Sequence, residues 1–417
     1  MDRASESLQG RVKENVLKEM NLSGEIQDEA VSRLIDDCIL REATRAYIPL
    51  KEKLNLKNEI FNSIRRMDVI SELMEDDSIS EIMINGHEKI FIERNGKLER
   101  YDKCFEDPER LMGVIRQMVS CANRMVNSSS PIVDAVLDDG SRINVVLSDI
   151  SKDGVSVTIR KFPKKSISMD RLVELGSISR EAADFLGLLV AAGYNIFISG
   201  GTGAGKTTFL NALTESIPAD ERVVTIEDSA ELNIRGIDNL IRLEARNANV
   251  EGRNEVTIRE LIKTSLRMRP SRIIVGEVRD AAAIDMLQAM CTGHDGSLST
   301  GHASSAEEML MRLEMMVLMG SENLPLTAIR HQIAAAIDIV VHLGRLRDKT
   351  RRVLEIIEVK GMNAGQIETV ELYRFEEQGE KDGRVIGELR KAEDLKNVTK
   401  LKEAGLFSVY TEKRKSR

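Results

Sequence analysis

The chain has 417 residues, 42% of them hydrophobic and 31% charged, and its formal net charge is −8. This length accommodates two or three domains with their own cores, and the composition is that of an ordinary globular protein. The acidic balance, the absence of Trp and an aromatic fraction of only 3% argue against attraction to nucleic acid and against stacking platforms for bases. We therefore expect no stable binding to nucleic acid.

Neither a targeting segment nor a membrane span is expected. The first residues, MDRASESLQGRVKE, are polar and charged, unlike a signal peptide. The longest apolar stretch, FLGLLVAAGYNIFIS, is shorter than the roughly 18–20 residues that cross a bilayer. We expect a cytosolic protein, and association with a membrane-bound partner stays open.

The cysteines are isolated along the chain and form no CxxC pair. This spacing argues against a zinc ribbon and against a disulfide framework. We expect reduced, buried thiols, as is usual in a cytosolic protein. The four positions are Cys38, Cys104, Cys121 and Cys291.

In chain order, residues 1–65 predict a helical amino-terminal segment. The stretch is rich in Glu, Lys, Leu and Arg, and apolar residues such as Val16 and Leu34 keep helical spacing. Pro49 is expected to mark a hinge. The pattern does not identify what these helices bind.

For residues 66–163 we predict an α+β amino-terminal, PAS-like domain. Apolar and polar residues alternate around Asn-Gly pairs at 85–86 and 95–96, which are strong hairpin signals. A helix is predicted in DPERLMGVIRQMVSCANRM, followed by strands with a turn at 139–140. Residues 163–166 are expected to form the linker that ends this domain.

From residue 170 to 350 helices and strands alternate, which predicts a parallel sheet. One helix, SREAADFLGLLVAAG, has Ser179 as its predicted N-cap and Gly193 just beyond its end. Residues 351–417 are expected to add antiparallel strands and a solvated tail. The strands predicted between 170 and 350 are NIFIS, RVVTIED, RIIVGEV, SLSTGH and DIVVHLG.

The sequence GGTGAGKTT lies between a predicted strand and a predicted helix and matches the P-loop pattern. Its glycines permit backbone angles that let N–H groups surround a β-phosphate, and the following helix adds its positive dipole end. Lys206 is expected to contact the β- and γ-phosphates of ATP, and Thr207 to bind Mg²⁺. The predicted nucleotide-binding residues are Gly200, Gly201, Thr202, Gly203, Ala204, Gly205, Lys206, Thr207 and Thr208.

Carboxylates follow two of the later predicted strands. RVVTIED ends in Glu227 and Asp228, with Glu231 nearby. RIIVGEVRD carries Glu277 after a wholly apolar strand. A carboxylate at the tip of a buried strand orients Mg²⁺ or the attacking water, although acidic residues at strand ends also serve solubility. We interpret Glu277 and Glu227 as functional and leave both interpretations open for the other two acids.

His294 and His302 are two of only five histidines, and both lie in TGHDGSLSTGHASS. Their spacing lacks the i,i+4 pattern and the acidic partner of helical zinc pairs. The serines around them show no nucleophile elbow. We therefore interpret His302, at the end of a strand, as a polar group that faces the γ-phosphate and distinguishes ATP from ADP. His294 is expected to order its own loop.

The ordered motifs GGTGAGKTT, TIEDSAEL, LRMRPSRIIVGEVRD and TGHDGSLSTGHASS resemble those of the type II/type IV secretion ATPases. The sequence resembles most the CpaF branch, the motors of tight-adherence (Flp-type) pili, because the zinc-binding CxxC pairs of the type II export branch are missing. The resemblance covers about residues 70–375. One departure is Gly301, where the family usually has Ile or Leu, and we expect it to loosen that strand.

The resemblance implies roles for five residues. Glu277 is the implied catalytic carboxylate of an atypical Walker B motif, and Glu227 is the lead acid of the Asp box. His302 is the implied invariant histidine of the His box. Arg142 and Arg160 match arginines of the amino-terminal domain that approach the nucleotide phosphates in such proteins.

The fold that the resemblance implies is α/β, a RecA-like P-loop ATPase domain with a parallel core sheet, preceded by an α+β domain and a helical segment. The implied protein is a homohexamer that hydrolyses ATP with Mg²⁺ and acts on inner-membrane platform proteins. It would be cytoplasmic and peripherally associated with the inner face of the cytoplasmic membrane through these partners. It would power assembly of a type IV or tight-adherence pilus or a secretion pseudopilus, with retraction left open. Two alternatives stay open: a conjugation-type traffic ATPase that moves protein or DNA, and an ATP-binding interaction module that does not hydrolyse. No zinc is expected.

Overall fold

The chain divides into two compact units, Met1–Lys164 and Lys165–Arg417. Within the described ranges, no helix combines the length and the apolar character that crossing a membrane requires. Asn95 and the predicted linker at 163–166 lie outside the described residues. This computed structural model describes residues 8–19, 28–44, 47–65, 69–94, 96–122, 124–162, 167–246, 254–320 and 324–415.

The first unit begins with three helices around a small apolar core. These helices are α1 (Leu8–Glu19), α2 (Asp28–Ala43) and α3 (Leu50–Arg65). Val16, Ile35 and Ile60, one from each helix, are fully buried in that core, as expected for amphipathic helices that pack on one another. The third helix begins directly after Pro49, where a hinge is predicted.

In the described residues, a six-stranded antiparallel sheet and two helices form the rest of the first unit. The helices are α4 (Val69–Glu75) and α5 (Pro108–Cys121), and the strands are β1 (Ile79–Asn85), β2 (Lys89–Arg94), β3 (Lys97–Arg100), β4 (Ile132–Val136), β5 (Arg142–Val146) and β6 (Ser156–Arg160). The strand order is β3-β2-β1-β6-β5-β4. The predicted turns at 85–86 and 139–140 join β1 to β2 and β4 to β5, which confirms those two hairpins. Ile82 and Ile84 of the sheet share one core with Leu111 and Ile115 of α5.

The second unit is a nine-stranded sheet covered by helices. The strands are β7 (Ile196–Gly200), β8 (Val223–Glu227), β9 (Leu240–Glu244), β10 (Arg272–Val275), β11 (Leu298–Gly301), β12 (Ile339–Arg345), β13 (Arg351–Asn363), β14 (Gln366–Lys381) and β15 (Arg384–Lys391). The helices are α6 (Met169–Glu174), α7 (Arg180–Ala191), α8 (Lys206–Thr214), α9 (Ile258–Ser265), α10 (Ala282–Cys291), α11 (Ala306–Gly320), α12 (Leu326–Ala336), α13 (Thr399–Glu403) and α14 (Phe407–Lys415).

The sheet order is β15-β14-β13-β12-β7-β11-β10-β8-β9. The six strands from β12 to β9 in this order are parallel to one another, and β13 to β15 extend the same sheet as antiparallel strands. Side chains alternate between the two faces, so Ile196 and Ile198 of β7 enter the core with α7 and α8, and Phe197 enters the core with α10, α11 and α12. The predicted parallel core sheet is confirmed.

The predicted helix at 180–191 begins as expected. Ser179 is its N-cap, and the hydroxyl accepts a hydrogen bond from the backbone N–H of Ala182. Gly193 follows the helix with a φ of 81°, a left-handed conformation that glycine adopts without steric cost. Both sequence signals therefore mark the true ends of this helix.

The sequence pattern does not predict several elements of the second unit individually. The strand β9 lies at the sheet edge, β15 lies at the other edge, and both expose many side chains. The helices α13 and α14 are short, so neither shows a clear helical period. The last helix also continues to Lys415, through residues expected to form a solvated tail.

The expectation of four buried thiols is wrong for three of them. Cys38 is buried, whereas Cys104, Cys121 and Cys291 are exposed, and all four are free. Two of the exposed thiols are the last residues of α5 and α10. They are exposed because these helices end at the surface.

Candidate functional site

The carboxyl ends of parallel strands bring the predicted residues of the second unit to one edge of the sheet. Ligands of open α/β sheets bind at this edge. Because β11 lies between β7 and β10 in the sheet, the His302 segment lies between the P-loop and the Glu277 segment. The strand β7 ends at Gly200, β8 at Glu227, β10 at Val275 and β11 at Gly301.

The P-loop joins β7 to α8, and three of its positions require glycine. Gly203 and Gly205 have φ angles of 71° and 94°, in the left-handed region that L side chains rarely adopt. At Gly200 a Cβ would lie 2.6 Å from the carbonyl oxygen of Leu343, so only glycine lets β7 pass β12 this closely. Gly201, Thr202 and Ala204 lie in the same loop, and Thr207 and Thr208 are the second and third residues of α8.

Lys206, the first residue of α8, is only 8% exposed. Its Nζ donates to the carbonyl oxygens of Gly200 at 3.1 Å and Gly201 at 3.3 Å. It also lies 3.2 Å from Nδ1 of His302. A buried ammonium requires such acceptors, and these contacts hold its charge beside the P-loop.

Glu277 lies beside the guanidinium of Arg279 and the imidazole of His302. Its Oε2 accepts a hydrogen bond of 2.7 Å from Arg279, whose guanidinium also lies 3.6 Å from Oδ2 of Asp228. Its Oε1 lies 3.0 Å from Nε2 of His302. The His302 contact is close but is not aligned as a hydrogen bond, so among the described residues this buried oxygen accepts none.

The charges of this cluster set its protonation states. Burial acts to raise the pKa of Glu277, but the hydrogen bond and charge of Arg279, with the charges of His302 and Lys206, lower the pKa below its usual value. Burial and the charge of Lys206 lower the pKa of His302, against the raising effect of Glu277. At neutral pH the carboxylate is therefore ionised and the imidazole is neutral.

Glu227 is 5% exposed and anchors the loop that follows β8. Its Oε1 accepts hydrogen bonds from the backbone N–H groups of Glu231 and Leu232, both at 2.8 Å. A Cβ at Gly276 would lie 3.0 Å from the Cγ of Glu227. The absence of a side chain at Gly276 therefore lets Glu227 pack directly beside the segment that carries Glu277.

His294 takes no part in the cluster around Lys206. Its Nδ1 lies 3.2 Å from the carbonyl oxygen of Ala289, and its own carbonyl accepts a hydrogen bond from Ser297 at 2.7 Å. These contacts order the loop between α10 and β11, as the sequence predicts.

The expectation that Gly301 loosens its strand is wrong. A Cβ at this position would lie 2.8 Å from Cε of Met309 and 3.0 Å from Cε1 of Phe197. These two side chains fill the space that a larger residue would require. The end of β11 is therefore closely packed with glycine in place.

Arg142 and Arg160 lie in the first unit, directly opposite each other on β5 and β6. Like charges at directly opposed positions of an antiparallel pair are unfavourable. Nε of Arg160 lies 4.0 Å from Oε1 of Glu81 on β1. The two arginines thus concentrate positive charge at one place on the sheet, and their role in phosphate binding stays a prediction.

A cavity of about 230 Å³ adjoins the P-loop. Its lining is largely apolar, and Lys206, His302 and Glu277 are not part of it. The cavity therefore borders a different part of the P-loop from the histidine and the carboxylate. Its lining includes Leu172, Phe209, Leu343, Gly205, Thr208 and Arg351.

Two arginines of this region are absent from the sequence-predicted site. Arg279 contacts Glu277. The sequence could have indicated this contact, because Arg279 follows Glu277 by two residues in GEVRD. Nε of Arg351 donates to the carbonyl oxygen of Gly203 at 2.8 Å. These two residues lie 148 positions apart, so no local pattern links them.

ATP and Mg²⁺ fit the chemistry of this edge. The P-loop glycines leave room for close approach of a phosphate, Lys206 supplies positive charge, and Oε1 of Glu277 remains an acceptor for a water proton. Thr207, in the first turn of α8, would hold Mg²⁺ together with phosphate oxygens. Among the residues that the structure describes, no three His, Cys, Asp or Glu side chains cluster closely enough to hold a metal by themselves.

Comparisons with known proteins concern the family and the fold of the chain. A family model described as "Type II/IV secretion system protein" matches residues 65–416. A Mycobacterium tuberculosis protein named for conjugal transfer is 32% identical over 327 residues, 77% of this chain and 92% of that protein. The type IV secretion system protein PtlH of Bordetella pertussis is 33% identical over 312 residues, 69% of this chain and 92% of PtlH.

Among solved structures, the Legionella pneumophila ATPase DotB superposes with a TM-score of 0.50 at 22% identity. The match covers 71% of this chain and 80% of the DotB chain. This similarity concerns the fold alone. The expected fold class, α/β with a RecA-like P-loop domain and a parallel core sheet, is confirmed.

Proposed function

The chain belongs to the type II/IV secretion system protein family, and we propose that it is a cytoplasmic ATPase that hydrolyses ATP to power assembly of a type IV or tight-adherence pilus or a secretion pseudopilus. Family membership agrees with the resemblance drawn from the four motifs. In this proposal the chain acts as a homohexamer and transmits its motion to inner-membrane platform proteins.

The observation that carries the proposal is the convergence of Lys206, His302 and Glu277. His302 contacts both other residues, at 3.2 Å from Nζ of Lys206 and 3.0 Å from Oε1 of Glu277. The three residues come from separate segments of the second unit, so it is the fold that brings them together. The cation stabilises charge on the phosphates and the ionised carboxylate can orient a water, which are two functions that hydrolysis of a terminal phosphate uses.

Each residue would take one part of the reaction. Lys206 holds the β- and γ-phosphates and stabilises the charge that develops on them. Glu277 orients the attacking water through its free Oε1 and accepts a proton from it. Neutral His302 donates a hydrogen bond to the γ-phosphate and loses that contact when the phosphate leaves.

Mg²⁺, when bound, would neutralise charge on the phosphate oxygens. Thr207 is the proposed protein ligand. Glu227 supports this network from the neighbouring strand by fixing the loop after β8. Arg142 and Arg160 are proposed to contact the nucleotide phosphates in the assembled ring, a role that their unfavourable juxtaposition supports.

A phosphate-release assay on the purified full-length chain tests the proposal. We expect Mg²⁺-dependent turnover in the wild type and a loss of about a hundredfold or more in Lys206→Ala and in Glu277→Gln. Glu388→Gln, which changes an exposed carboxylate of β15, is the control and should keep wild-type turnover. Absence of turnover in the wild type would favour the non-hydrolysing interaction module. Unchanged turnover in both site variants would rule out the assigned site.

A conjugation-type traffic ATPase is the second candidate, favoured by the names of the Mycobacterium tuberculosis relative and of PtlH. Binding of single-stranded DNA that weakens steeply with salt would support it. A gene neighbourhood with a prepilin, a prepilin peptidase and membrane platform proteins would support the pilus motor instead. Both candidates share the ATPase chemistry and differ in what the motion drives.

A further inference from the structure

We propose that Arg345 and Arg351 form a phosphate clamp on the nucleoside side of the P-loop, binding the α- and β-phosphates of the nucleotide in both its ATP and its ADP form. This arginine clamp rests on the proposed function, because it belongs to the same nucleotide site. Neither residue lies in the four motifs of the sequence analysis.

Both arginines reach the P-loop from one hairpin. Arg345 ends β12 and Arg351 begins β13, and the two are directly opposed in the antiparallel ladder. Nε of Arg351 donates to the carbonyl oxygen of Gly203 at 2.8 Å. Nη1 of Arg345 lies 3.9 Å from the point where a Cβ of Gly203 would be, and Cδ of Arg351 lies 3.4 Å from the corresponding point at Gly205.

The residues around these arginines indicate which part of the nucleotide the arginines face. His302 and Glu277, the proposed γ-phosphate residues, do not line the 230 Å³ cavity, whereas Arg351 does. Gly205 and Thr208, at the start of α8, line the same cavity. A largely apolar cavity that adjoins a helix N-terminus suits the nucleoside and the phosphates attached to it.

The pair carries an electrostatic cost that a bound anion would relieve. Two arginines directly opposed across an antiparallel ladder repel each other, and both are exposed. A guanidinium matches phosphate geometry with two parallel hydrogen bonds. A diphosphate between these side chains would therefore turn a repulsion into two charge-assisted contacts.

Hydrogen bonds of Asp348 fix the backbone of the hairpin turn that carries the clamp. Oδ1 of Asp348 accepts hydrogen bonds from the backbone N–H and the hydroxyl of Thr350, at 2.9 Å and 2.6 Å. Its Oδ2 accepts one from the backbone N–H of Val385 at 2.8 Å. Both arginine side chains therefore extend from a backbone that is ordered before the ligand arrives.

The same hairpin provides a matched control. Arg347 lies between the two clamp residues in sequence, but its guanidinium pairs with Glu377 at 2.7 Å and Glu380 at 3.0 Å on β14. Removing the Arg347 side chain changes the charge of the hairpin by the same amount as removing either clamp arginine, and it leaves the contacts to the P-loop in place. A purely electrostatic effect of the hairpin would therefore appear in Arg347→Ala as well.

The test is titration of the full-length chain with fluorescently labelled ADP and with a non-hydrolysable ATP analogue. We expect Arg351→Ala to raise both dissociation constants about tenfold or more, the effect of losing a hydrogen bond to a charged group. Arg345→Ala should raise them in the same direction and Arg347→Ala should not. KM for ATP should rise while kcat stays near the wild-type value, because the contact is equal in ground and transition states.

The outcomes separate the clamp from the proposed function. A wild-type chain that binds neither nucleotide contradicts the proposed function itself. A wild type that binds both, with Arg351→Ala and Arg345→Ala binding as tightly as Arg347→Ala, overturns the clamp alone. A lower melting temperature without nucleotide, at unchanged affinity, would show that Arg351 only supports the loop and also overturns it. If Arg351→Ala does not fold, Arg351→Lys and Arg345→Ala provide the same comparison.

Discussion

His302 lies with its Nε2 3.0 Å from Oε1 of Glu277, in a contact that joins the ends of two neighbouring strands. The other ring nitrogen faces Nζ of Lys206 at 3.2 Å. Nζ of Lys206 also lies 3.4 Å from Nε2, so the imidazole contacts both the cation of the P-loop and the carboxylate after β10. Any change in the charge of this ring acts on both of its neighbours, which makes it sensitive to pH and to a bound phosphate.

The pH dependence of turnover should reflect this position. The pKa of His302 is lowered by burial and by Lys206, so the ring is neutral at pH 7 and becomes charged only in acid. The pKa of Glu277 is also lowered, because Arg279, His302 and Lys206 outweigh its burial. We expect turnover to be constant between about pH 8 and about pH 6.5 and to fall at lower pH.

The variant His302→Gln tests which group causes that fall. Its amide does not titrate, so the acid limb should move to lower pH, where protonation of Glu277 takes over. Turnover at pH 7 should drop about tenfold, the effect of one lost hydrogen bond worth about 1.4 kcal/mol. An acid limb that stays at the wild-type position would show that His302 does not control it.

Glu227 should matter for stability as well as for activity. Glu227→Ala removes the acceptor of the backbone N–H groups of Glu231 and Leu232, and we expect the free energy of unfolding to fall by about 2–4 kcal/mol. Glu227→Gln keeps an acceptor oxygen and should lose about 1 kcal/mol. Urea denaturation measures both. Equal stability of the Ala variant and the wild type would mean that the carboxylate does not anchor this loop.

Arg142 is proposed to act in the assembled ring, so its effect should depend on assembly. Arg142→Ala should lower turnover about tenfold at protein concentrations where the wild type is assembled, the effect of one lost charge-assisted contact. At lower protein concentrations, where the wild-type ring is itself dissociated, the difference in turnover between Arg142→Ala and the wild type should become smaller. Arg116→Ala, an exposed arginine of α5, is the control. Turnover of Arg142→Ala that equals the control at every concentration would exclude the role.

The sequence predicts those parts of the fold and site that depend on local pattern. The P-loop, the strand before Glu277 and the cap at Ser179 are each legible within a few residues, because the chemistry that requires them is local. The contact of Arg351 with Gly203 and the loop contacts of Glu227 depend on strand register and packing. Those are set by the whole sheet, and no short motif encodes them.

Gly301 is a second case in which packing between distant residues is not evident from the sequence. Its sequence position suggests a looser strand, because the family usually has a larger residue there. Met309 and Phe197 fill that space from another helix and another strand. Compensation between distant residues of this kind is ordinary in a close-packed core, and a single sequence does not reveal it.

Gly296 and Gly236 form a matched pair for measuring the cost of steric conflict at a buried arginine. Their φ angles are 80° and 78°, so Gly→Ala introduces the same backbone strain of about 1–2 kcal/mol at each. No described atom lies within 4 Å of a Cβ at Gly236, whereas a Cβ at Gly296 would lie 2.5 Å from Nη1 of Arg272.

Arg272 is 2% exposed and binds both carboxylate oxygens of Glu221, with a further hydrogen bond to the carbonyl oxygen of Val190. Displacing its guanidinium would break a buried ion pair, which costs about 3–5 kcal/mol. Urea denaturation should therefore show a small loss of stability in Gly236→Ala and a loss larger by about that amount in Gly296→Ala. Equal losses would mean that Arg272 moves aside without losing its partners, because the backbone strain is the same in both variants.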